Sequence, residues 1–341
     1  MPALRIGDLP LAAGGTLRGA EIAYETWGEP SEEAVLVCHA LTGDAHIASA
    51  GGRPGWWDGI VGPGRAIDTQ TRFVVASNVI GGCYGSSGPD ARGRTPDGSA
   101  FPQIAVQDMV QAQLLLLRRL GVRRLRLVIG GSLGGLQALA WAKRQEIPAR
   151  QVVAIGASDR LPALQVALCH AQHVALELGL SHGDGPGGMR AARAVAMATY
   201  RSDPHFAARF GRSPARQETG DRAYALETWL DHHGEQLAQR FSAHTYLLLS
   251  RAMAQFEWDR EVRPGTRVDL IAIAGDWLFP PDGVEALHRL LRRQEIPGDL
   301  LMLETEMGHD AFLADQPALG DLLSDCLRRA EGARPSEACA L

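Results

Sequence analysis

The sequence contains very little lysine and no long basic or apolar run. Of the 34 lysine and arginine residues in the 341-residue chain only Lys143 is a lysine, and 39 acidic residues give a formal net charge of −5. Basic residues occur only in short pairs and triplets, which excludes the charge pattern of a nucleic-acid or anionic-membrane binder. The uncharged stretch between Arg126 and Lys143 is interrupted by glycines, and no uncharged stretch reaches the ~20 apolar residues that span a bilayer. We therefore expect neither a nucleic-acid nor a membrane partner.

Cysteine is scarce as well. The five cysteines are Cys38, Cys83, Cys169, Cys326 and Cys339. Their odd number, their scatter and the lack of C-x-x-C spacing argue against a disulfide framework and against a zinc site. The residues after Met1 show no basic stretch followed by an apolar run, so no signal peptide is predicted. We expect a cytoplasmic protein that holds no metal.

What the sequence does contain is an alternation of short apolar runs with helical patterns. The predicted strands cover residues 34–38, 73–77, 125–129, 152–156, 268–274 and 300–303. The helices predicted between and after them cover residues 104–120, the stretch from the end of the glycine-rich run 130–135 to about 143, and residues 284–293 and 319–330. Strands that alternate with helices predict an α/β fold, with a mostly parallel sheet flanked by helices.

One long block interrupts this alternation. Between residues 162 and 261 the sequence has helical patterns at 164–178, 189–200 and 236–254 but no convincing strand, and glycines at 183–188 separate the first two patterns. We predict an α/β core built from residues 1–161 and 262–341, with residues 162–261 inserted as a helical lid. Such an insertion typically covers a site at the carboxyl ends of the strands.

The strongest chemical motif is G-x-S-x-G at residues 130–134, between a predicted strand and a predicted helix. The glycines allow a sharp turn that presents Ser132 above the sheet at the start of the helix. There Ser132 would act as a nucleophile, and the backbone N–H of Leu133 would help to bind an oxyanion.

A serine nucleophile needs a histidine to accept its proton and a carboxylate to hold that histidine. In an α/β-hydrolase both follow the serine along the chain, each just after a later strand. Asp276 and His309 occupy those positions. Asp282 competes for the acid role, but it follows two prolines and is better placed to cap the next helix.

The other histidines favour structural roles. His39 and His46 flank a loop after an early strand and could shape the oxyanion pocket, although a structural role fits them better. The remaining two groups are His170 with His173, and the adjacent His232 and His233. His170 and His173 have no nearby carboxylate pattern, so surface or lid packing is expected rather than metal binding. His232 and His233 are expected to be solvated at a helix–loop boundary.

Five ordered segments make the chain resemble the homoserine O-acyltransferases of methionine biosynthesis, which have the α/β-hydrolase fold. The segments are HALTGDAH at 39–46, GGCYGSSGP at 81–89, GGSLGGLQAL at 130–139, DWLFPP at 276–281 and GHDAFL at 308–313. The resemblance implies the same roles for Ser132, Asp276 and His309, and a second oxyanion amide at Leu41. It also implies that Arg193 binds the carboxylate of the amino-acid substrate and that Asp310 binds its ammonium group.

The resemblance further implies ping-pong acyl transfer from acetyl-CoA or succinyl-CoA to L-homoserine, in a homodimer without a resident cofactor. Several alternatives stay open. The segment ASDRLP at 157–162 departs from the family pattern, which leaves L-serine possible as acceptor and leaves the acyl donor undecided. Arg190 competes with Arg193 for the substrate carboxylate. A serine ester hydrolase is the main alternative of another class, whereas the complete triad argues against a non-catalytic binding protein.

Overall fold

An eight-stranded sheet forms the centre of the computed structural model, which describes residues 1–215 and 224–332. Its strands are β1 (Ala3–Pro10), β2 (Thr16–Trp27), β3 (Glu33–Cys38), β6 (Phe73–Ser77), β7 (Arg124–Gly131), β8 (Ala149–Ile155), β9 (Arg267–Ile273) and β10 (Leu300–Leu303). Two short strands, β4 (Val61–Gly62) and β5 (Ile67–Asp68), pair separately. The spatial order β1-β2-β6-β3-β7-β8-β9-β10 places β3, β7, β8 and β9 at the centre.

The sheet is parallel from β6 to β10, and only β1 and β2 are antiparallel to their neighbours. The predicted mostly parallel α/β sheet is therefore confirmed. The β1–β2 hairpin was not predicted, because much of β1 alternates between exposed and buried positions and includes no continuous apolar run.

Helices cover both faces of the sheet. They are α1 (Val106–Arg119), α2 (Leu133–Trp141), α8 (Pro281–Arg293), α9 (Ala311–Ala314) and α10 (Gln316–Gly332). Successive side chains of β3 point to opposite faces, so Leu36 packs in the layer that includes α1, α2 and α8, while Val35 and Val37 pack in the layer that includes α10.

Five helices lie between β8 and β9, within the predicted insertion. They are α3 (Ala163–Ser181), α4 (Gly185–Tyr200), α5 (Asp203–Arg209), α6 (Ala225–Arg240) and α7 (Ala243–Ala254), as far as the described residues extend. They pack mainly on one another, α3 against α4 and α7, and α4 against α6.

The structure corrects two predicted features of this insertion. The single helix predicted at 236–254 is two helices, because Phe241 is extended and buried against the rings of Tyr84 and Tyr246. The glycines at 183–188 do not all separate helices, since α4 already begins at Gly185. There the carboxylate of Asp184 accepts a hydrogen bond from the amide of Gly187 at 2.8 Å and caps the helix.

No helix in the described part of the chain is both long and apolar enough to cross a membrane. Cys38, Cys83, Cys169 and Cys326 are free thiols, and Cys339 lies outside the described residues.

Candidate active site

Ser132 lies in a sharp turn between β7 and α2, at the carboxyl edge of the sheet. Its φ of 57° and ψ of −124° are unusual for a side-chain-bearing residue, and its amide donates a hydrogen bond to Ile155 O at 2.9 Å. The neighbouring glycines are required by close packing. A Cβ on Gly134 would lie 2.2 Å from the carbonyl oxygen of Cys38, and one on Gly130 would lie 2.5 Å from the backbone of Gly134. The local sequence therefore produces the strained turn that presents the serine.

Asp276 and His309 are brought together by the loops that follow β9 and β10. His309 lies in a 3-10 turn over Gly308–Asp310, and its Nδ1 donates a hydrogen bond to Asp276 Oδ2 at 2.7 Å. The other carboxylate oxygen, Oδ1, accepts the amides of Leu278 and Phe279 at 2.8 and 2.9 Å. Asp276 is thus held from two sides, and it fixes the orientation of the imidazole.

Burial and charge act in opposite directions on His309, which is only 2% exposed. Burial by itself would lower the pKa of His309, but the charge and hydrogen bond of Asp276, with a contribution from Asp310, raise this pKa above the ordinary 6.5. Nε2 of the same ring is buried and has no hydrogen-bond partner within the described residues. That nitrogen lies at the edge of the ring away from Asp276 and is available to accept a proton.

The backbone amides of Leu41 and Leu133 are the two groups predicted to form an oxyanion hole. Leu133 is the first residue of α2, and Leu41 is a buried residue of the loop after β3. Within the described residues neither amide donates a hydrogen bond to another group of the protein. Amides left free at a helix start and in a buried loop can bind developing negative charge.

His39 anchors the loop that contains Leu41. Its Nδ1 donates to the carbonyl of Ala40 at 2.7 Å, and its Nε2 accepts the amide of Val79 at 3.1 Å. Burial lowers the pKa of His39, which keeps the ring neutral and suits this one-donor, one-acceptor arrangement. The structure therefore places His39 as a support of the loop rather than as a reacting group.

A cavity of about 300 Å³ joins five of the seven predicted site residues, while Asp276 and Leu133 do not line it. Leu41, Ser132, Arg193, His309 and Asp310 all line it. The other lining residues include Trp56, Tyr200, Arg240, Phe312 and Leu313, none of which was singled out from the sequence. The cavity therefore contains a nucleophile, a base, two cationic groups and two carboxylates. The cationic groups are Arg193 of α4 and Arg240 of α6, and the carboxylates are Asp310, beside the base, and Asp44.

The structure distinguishes Arg193 from Arg190. The guanidinium of Arg193 lies 5.2 Å from the ring centre of Tyr200, and its Nε is buried without a hydrogen-bond partner in the described part of the chain. Arg190 is about half exposed, and it pairs with Glu235 at 3.6 Å on the outside of the insertion. Of these two arginines only Arg193 lines the cavity.

Asp310 has a partner that the sequence analysis missed. Oδ2 of Asp310 lies 3.1 Å from Nη2 of Arg201, and both side chains are about 15% exposed. Arg201 directly follows α4, next to Tyr200, whose ring lies 5.6 Å from that of His309. The only sequence signal was an aromatic and an arginine at a helix end, which is too common to indicate a site.

The residues that competed for site roles lie elsewhere. Asp282 is in the first turn of α8 rather than at its cap, and His46 is hydrogen-bonded to Glu25 at 2.7 Å. His173 is hydrogen-bonded to Ser250 at 2.9 Å, and burial lowers its pKa to about 4. His233 packs on the ring of Trp229. Among the described residues, no three His, Cys, Asp or Glu side chains are grouped to bind a metal ion.

Known proteins resemble the chain in sequence and in fold. Residues 33–316 match the α/β-hydrolase fold family. The homoserine O-acetyltransferase of Thermobifida fusca (strain YX) is 40% identical, across 94% of this chain and 91% of its own length. That of Chlorobaculum tepidum is 38% identical, across 94% and 92%.

Two solved structures share the fold at low sequence identity. The homoserine O-acetyltransferase from Bacillus anthracis superimposes with a TM-score of 0.86 at 19% identity, covering 96% of this chain and 97% of its own. Esterase E22 gives 0.85 at 20% identity, covering 96% and 99%. The fold is therefore shared by transferases and esterases, whereas the sequence identity over nearly the full length is to the transferases. The chain belongs to the homoserine O-acetyltransferase family of the α/β-hydrolase fold.

Proposed function

We propose that this protein is an acyl-CoA-dependent O-acyltransferase that acetylates the side-chain hydroxyl of L-homoserine, a step of methionine biosynthesis. The observation that carries the proposal is the cavity shared by Ser132, His309, Arg193 and Asp310. It combines the groups needed for acyl transfer with a cation and an anion, Arg193 and Asp310, that suit an amino acid, and Arg240 and Asp44 also line it. The names of the relatives at 38–40% identity agree with this reading.

In the first half-reaction Ser132 becomes acylated. Nε2 of His309 accepts the proton of the Ser132 hydroxyl as Oγ attacks the thioester carbonyl of acetyl-CoA. The amides of Leu41 and Leu133 stabilise the tetrahedral oxyanion. The C–S bond then breaks, the CoA thiolate takes the proton from His309, and an acetyl-serine remains. Asp276 holds the imidazole and stabilises its charged form.

In the second half-reaction the acceptor takes the place of CoA. His309 accepts the proton of the homoserine hydroxyl, whose oxygen attacks the acetyl-serine carbonyl. The intermediate collapses to O-acetylhomoserine, and the proton returns to Ser132. Arg193 binds the substrate carboxylate and Asp310 its ammonium group, which together orient the hydroxyl toward the ester. No resident metal or cofactor is proposed.

A serine ester hydrolase is the second candidate, because esterase E22 shares the fold over almost its whole length. In a hydrolase, water would replace the amino acid in the second half-reaction. The low exposure of Ser132 and His309, 5% and 2%, and the presence of Arg193 and Asp310 in the cavity favour transfer to an amino acid over transfer to water.

The test is CoA release from acetyl-CoA or succinyl-CoA, each with L-homoserine, with L-serine or without acceptor. We expect release that depends on L-homoserine and is faster with acetyl-CoA. A preference for L-serine or succinyl-CoA would change the substrate but keep the reaction class. Release at the same rate without acceptor would establish a thioesterase or hydrolase and contradict the proposal.

We also propose that the protein is a cytoplasmic homodimer. The outer face of α3 supports the dimer, since it exposes Leu164, Ala167, Ala171, Val174 and Leu178. Their spacing of alternately three and four residues is typical of helices that pair along an apolar seam. The four free thiols in the described part of the chain agree with a reducing compartment.

A further inference from the structure

Arg193 and Asp310 carry opposite charges and line the same cavity, yet no ion pair joins them in the described structure. Opposite charges in a partly buried space attract strongly, because little water screens them. If the two side chains paired with each other, neither would be available to a substrate. Something in the fold must therefore keep them apart.

Arg201 restrains Asp310 from one side. It pairs with Oδ2 of Asp310 at 3.1 Å, and it does not line the cavity itself. Because Asp310 does line the cavity, this pairing holds the carboxylate in one orientation while leaving the second oxygen for another partner.

The chain at Arg201 and Ser202 packs closely against both catalytic loops. Ser202 donates a hydrogen bond to the carbonyl of Glu306. A Cβ on Gly308 would lie 2.7 Å from the amide of Ser202, and one on Gly275 would lie 3.2 Å from its Cβ. Gly275 precedes Asp276 and Gly308 precedes His309, so the connection between α4 and α5 packs against the residues next to both members of the pair.

Tyr200 restrains Arg193. Its ring lies 5.2 Å from the guanidinium carbon of Arg193 and 5.6 Å from the ring of His309. A guanidinium over an aromatic face is held by a cation–π interaction and keeps its N–H donors free at the edge. Arg193 makes no ion pair with any described carboxylate, so these donors remain available to an incoming one.

We infer that Tyr200 and Arg201 are positioning residues that hold Arg193 and Asp310 apart and thereby preorganise a dipolar site for the carboxylate and ammonium of an α-amino acid. The inference rests on the proposed function, because it assigns the recognition of the acceptor to this same cavity. These two residues are adjacent at the end of α4: Tyr200 holds Arg193, and Arg201 holds Asp310. A zwitterion that enters the site then has no Arg193–Asp310 ion pair to break.

The test uses Arg201→Gln in the full-length protein. Without Arg201, the carboxylate of Asp310 is free to turn toward Arg193, so the KM for L-homoserine should rise about tenfold, the order expected for one charge-assisted hydrogen bond. The burst of CoA release that reports acylation of Ser132 should stay near the wild-type rate. Arg201→Lys should restore much of the acceptor KM, because it returns a cation to Asp310.

A double variant separates positioning from a general structural role. In an Asp310→Asn background the Arg201→Gln change should have little further effect on the acceptor KM, since the group that Arg201 positions is already lost. Arg190→Gln, on the exposed side of the same helix, is the matched control and should leave both half-reactions unchanged.

The outcomes separate the inference from the proposed function. The wild-type protein alone decides the function, since acceptor-independent CoA release would contradict it and the inference with it. If the wild type is saturable by homoserine but Arg201→Gln has the same acceptor KM, only the inference is overturned. Equal losses in both half-reactions, additive with Asp310→Asn, would overturn it in favour of a folding role.

Discussion

His309 illustrates how two opposing effects combine at a single residue. Its imidazole is buried, which disfavours the charged form, but Asp276 and Asp310 place negative charge on two sides of it and raise the pKa. The neutral ring is the form that can accept the proton of Ser132. The rate of acylation should therefore fall as the pH drops through the raised pKa of His309.

The pH profile of the acylation burst tests this balance. We expect its acidic limb to have a midpoint above the ordinary histidine value of 6.5. Asp276→Asn removes the nearest negative charge, so the midpoint should move to lower pH while the maximal rate falls about 10⁴-fold through loss of the imidazole orientation. An unchanged midpoint in that variant would contradict the role of Asp276.

Ser132→Ala should remove the nucleophile without removing the fold. Acylation should fall by about 10⁴-fold or more, because the triad members act as a unit. The CoA burst of the variant measures acylation, and its thermal unfolding midpoint and circular dichroism spectrum show whether the protein is folded. A well-folded Ser132→Ala protein that still forms an acyl-enzyme would remove Ser132 from the assigned role.

Arg193→Ala should separate binding of the acceptor from acylation. We expect the KM for L-homoserine to rise by about 10- to 100-fold, since a charged hydrogen-bonding group is lost, while the CoA burst changes little. Arg190→Ala provides the control, because Arg190 pairs with Glu235 outside the cavity. If Arg190→Ala raised the acceptor KM and Arg193→Ala did not, the assignment of the carboxylate partner would be reversed.

At the scale of elements, α4 connects recognition to catalysis. Arg193 lies within it, Tyr200 ends it, and Arg201 follows it directly. The helix is amphipathic enough to be predicted from spacing, but its start at Gly185 depends on the cap by Asp184. A single helix of the insertion therefore brings Arg193, Tyr200 and Arg201 close to the two loops that hold Asp276 and His309.

The exposed apolar face of α3 leads to a prediction about association. Glutamates in place of Leu164 and Leu178, which are 60% and 59% exposed, should cause little loss of stability in the monomer but should weaken a helix–helix interface. Light scattering coupled to size exclusion should then report a monomer where the parent protein is a dimer. Arg289→Glu on α8, also 60% exposed, is the control for added negative charge. A monomeric parent protein would contradict the proposed dimer.

At the scale of the whole molecule, sheet order assembles the site. β3, β7, β9 and β10 end at the same edge, so the loops that follow them bring Leu41, Ser132, Asp276 and His309 together although they are far apart in sequence. The insertion between β8 and β9 supplies Arg193 and Tyr200 from above that edge. Parallel strands make this convergence a property of the topology.

The sequence by itself determined the parallel sheet, the turn at Ser132 and the family. These features depend on patterns visible along the chain, namely apolar runs of strand length, the G-x-S-x-G motif at 130–134 and five ordered segments that resemble the family. The order serine, aspartate, histidine along the chain then followed from where each strand ends. These patterns can be recognised along the sequence without knowing which distant segments meet in space.

Only the tertiary structure decided which residues share a cavity and which conformations the packing imposes. The choice of Arg193 over Arg190, the pairing of Arg201 with Asp310 and the break at Phe241 each depend on side chains contributed by distant segments. The same holds for the place of the β1–β2 hairpin in the sheet, because β2 pairs with β6, which lies far along the chain. The physical reason is that burial and charge pairing belong to positions in space, and residues close in space here are often a hundred or more positions apart in the chain.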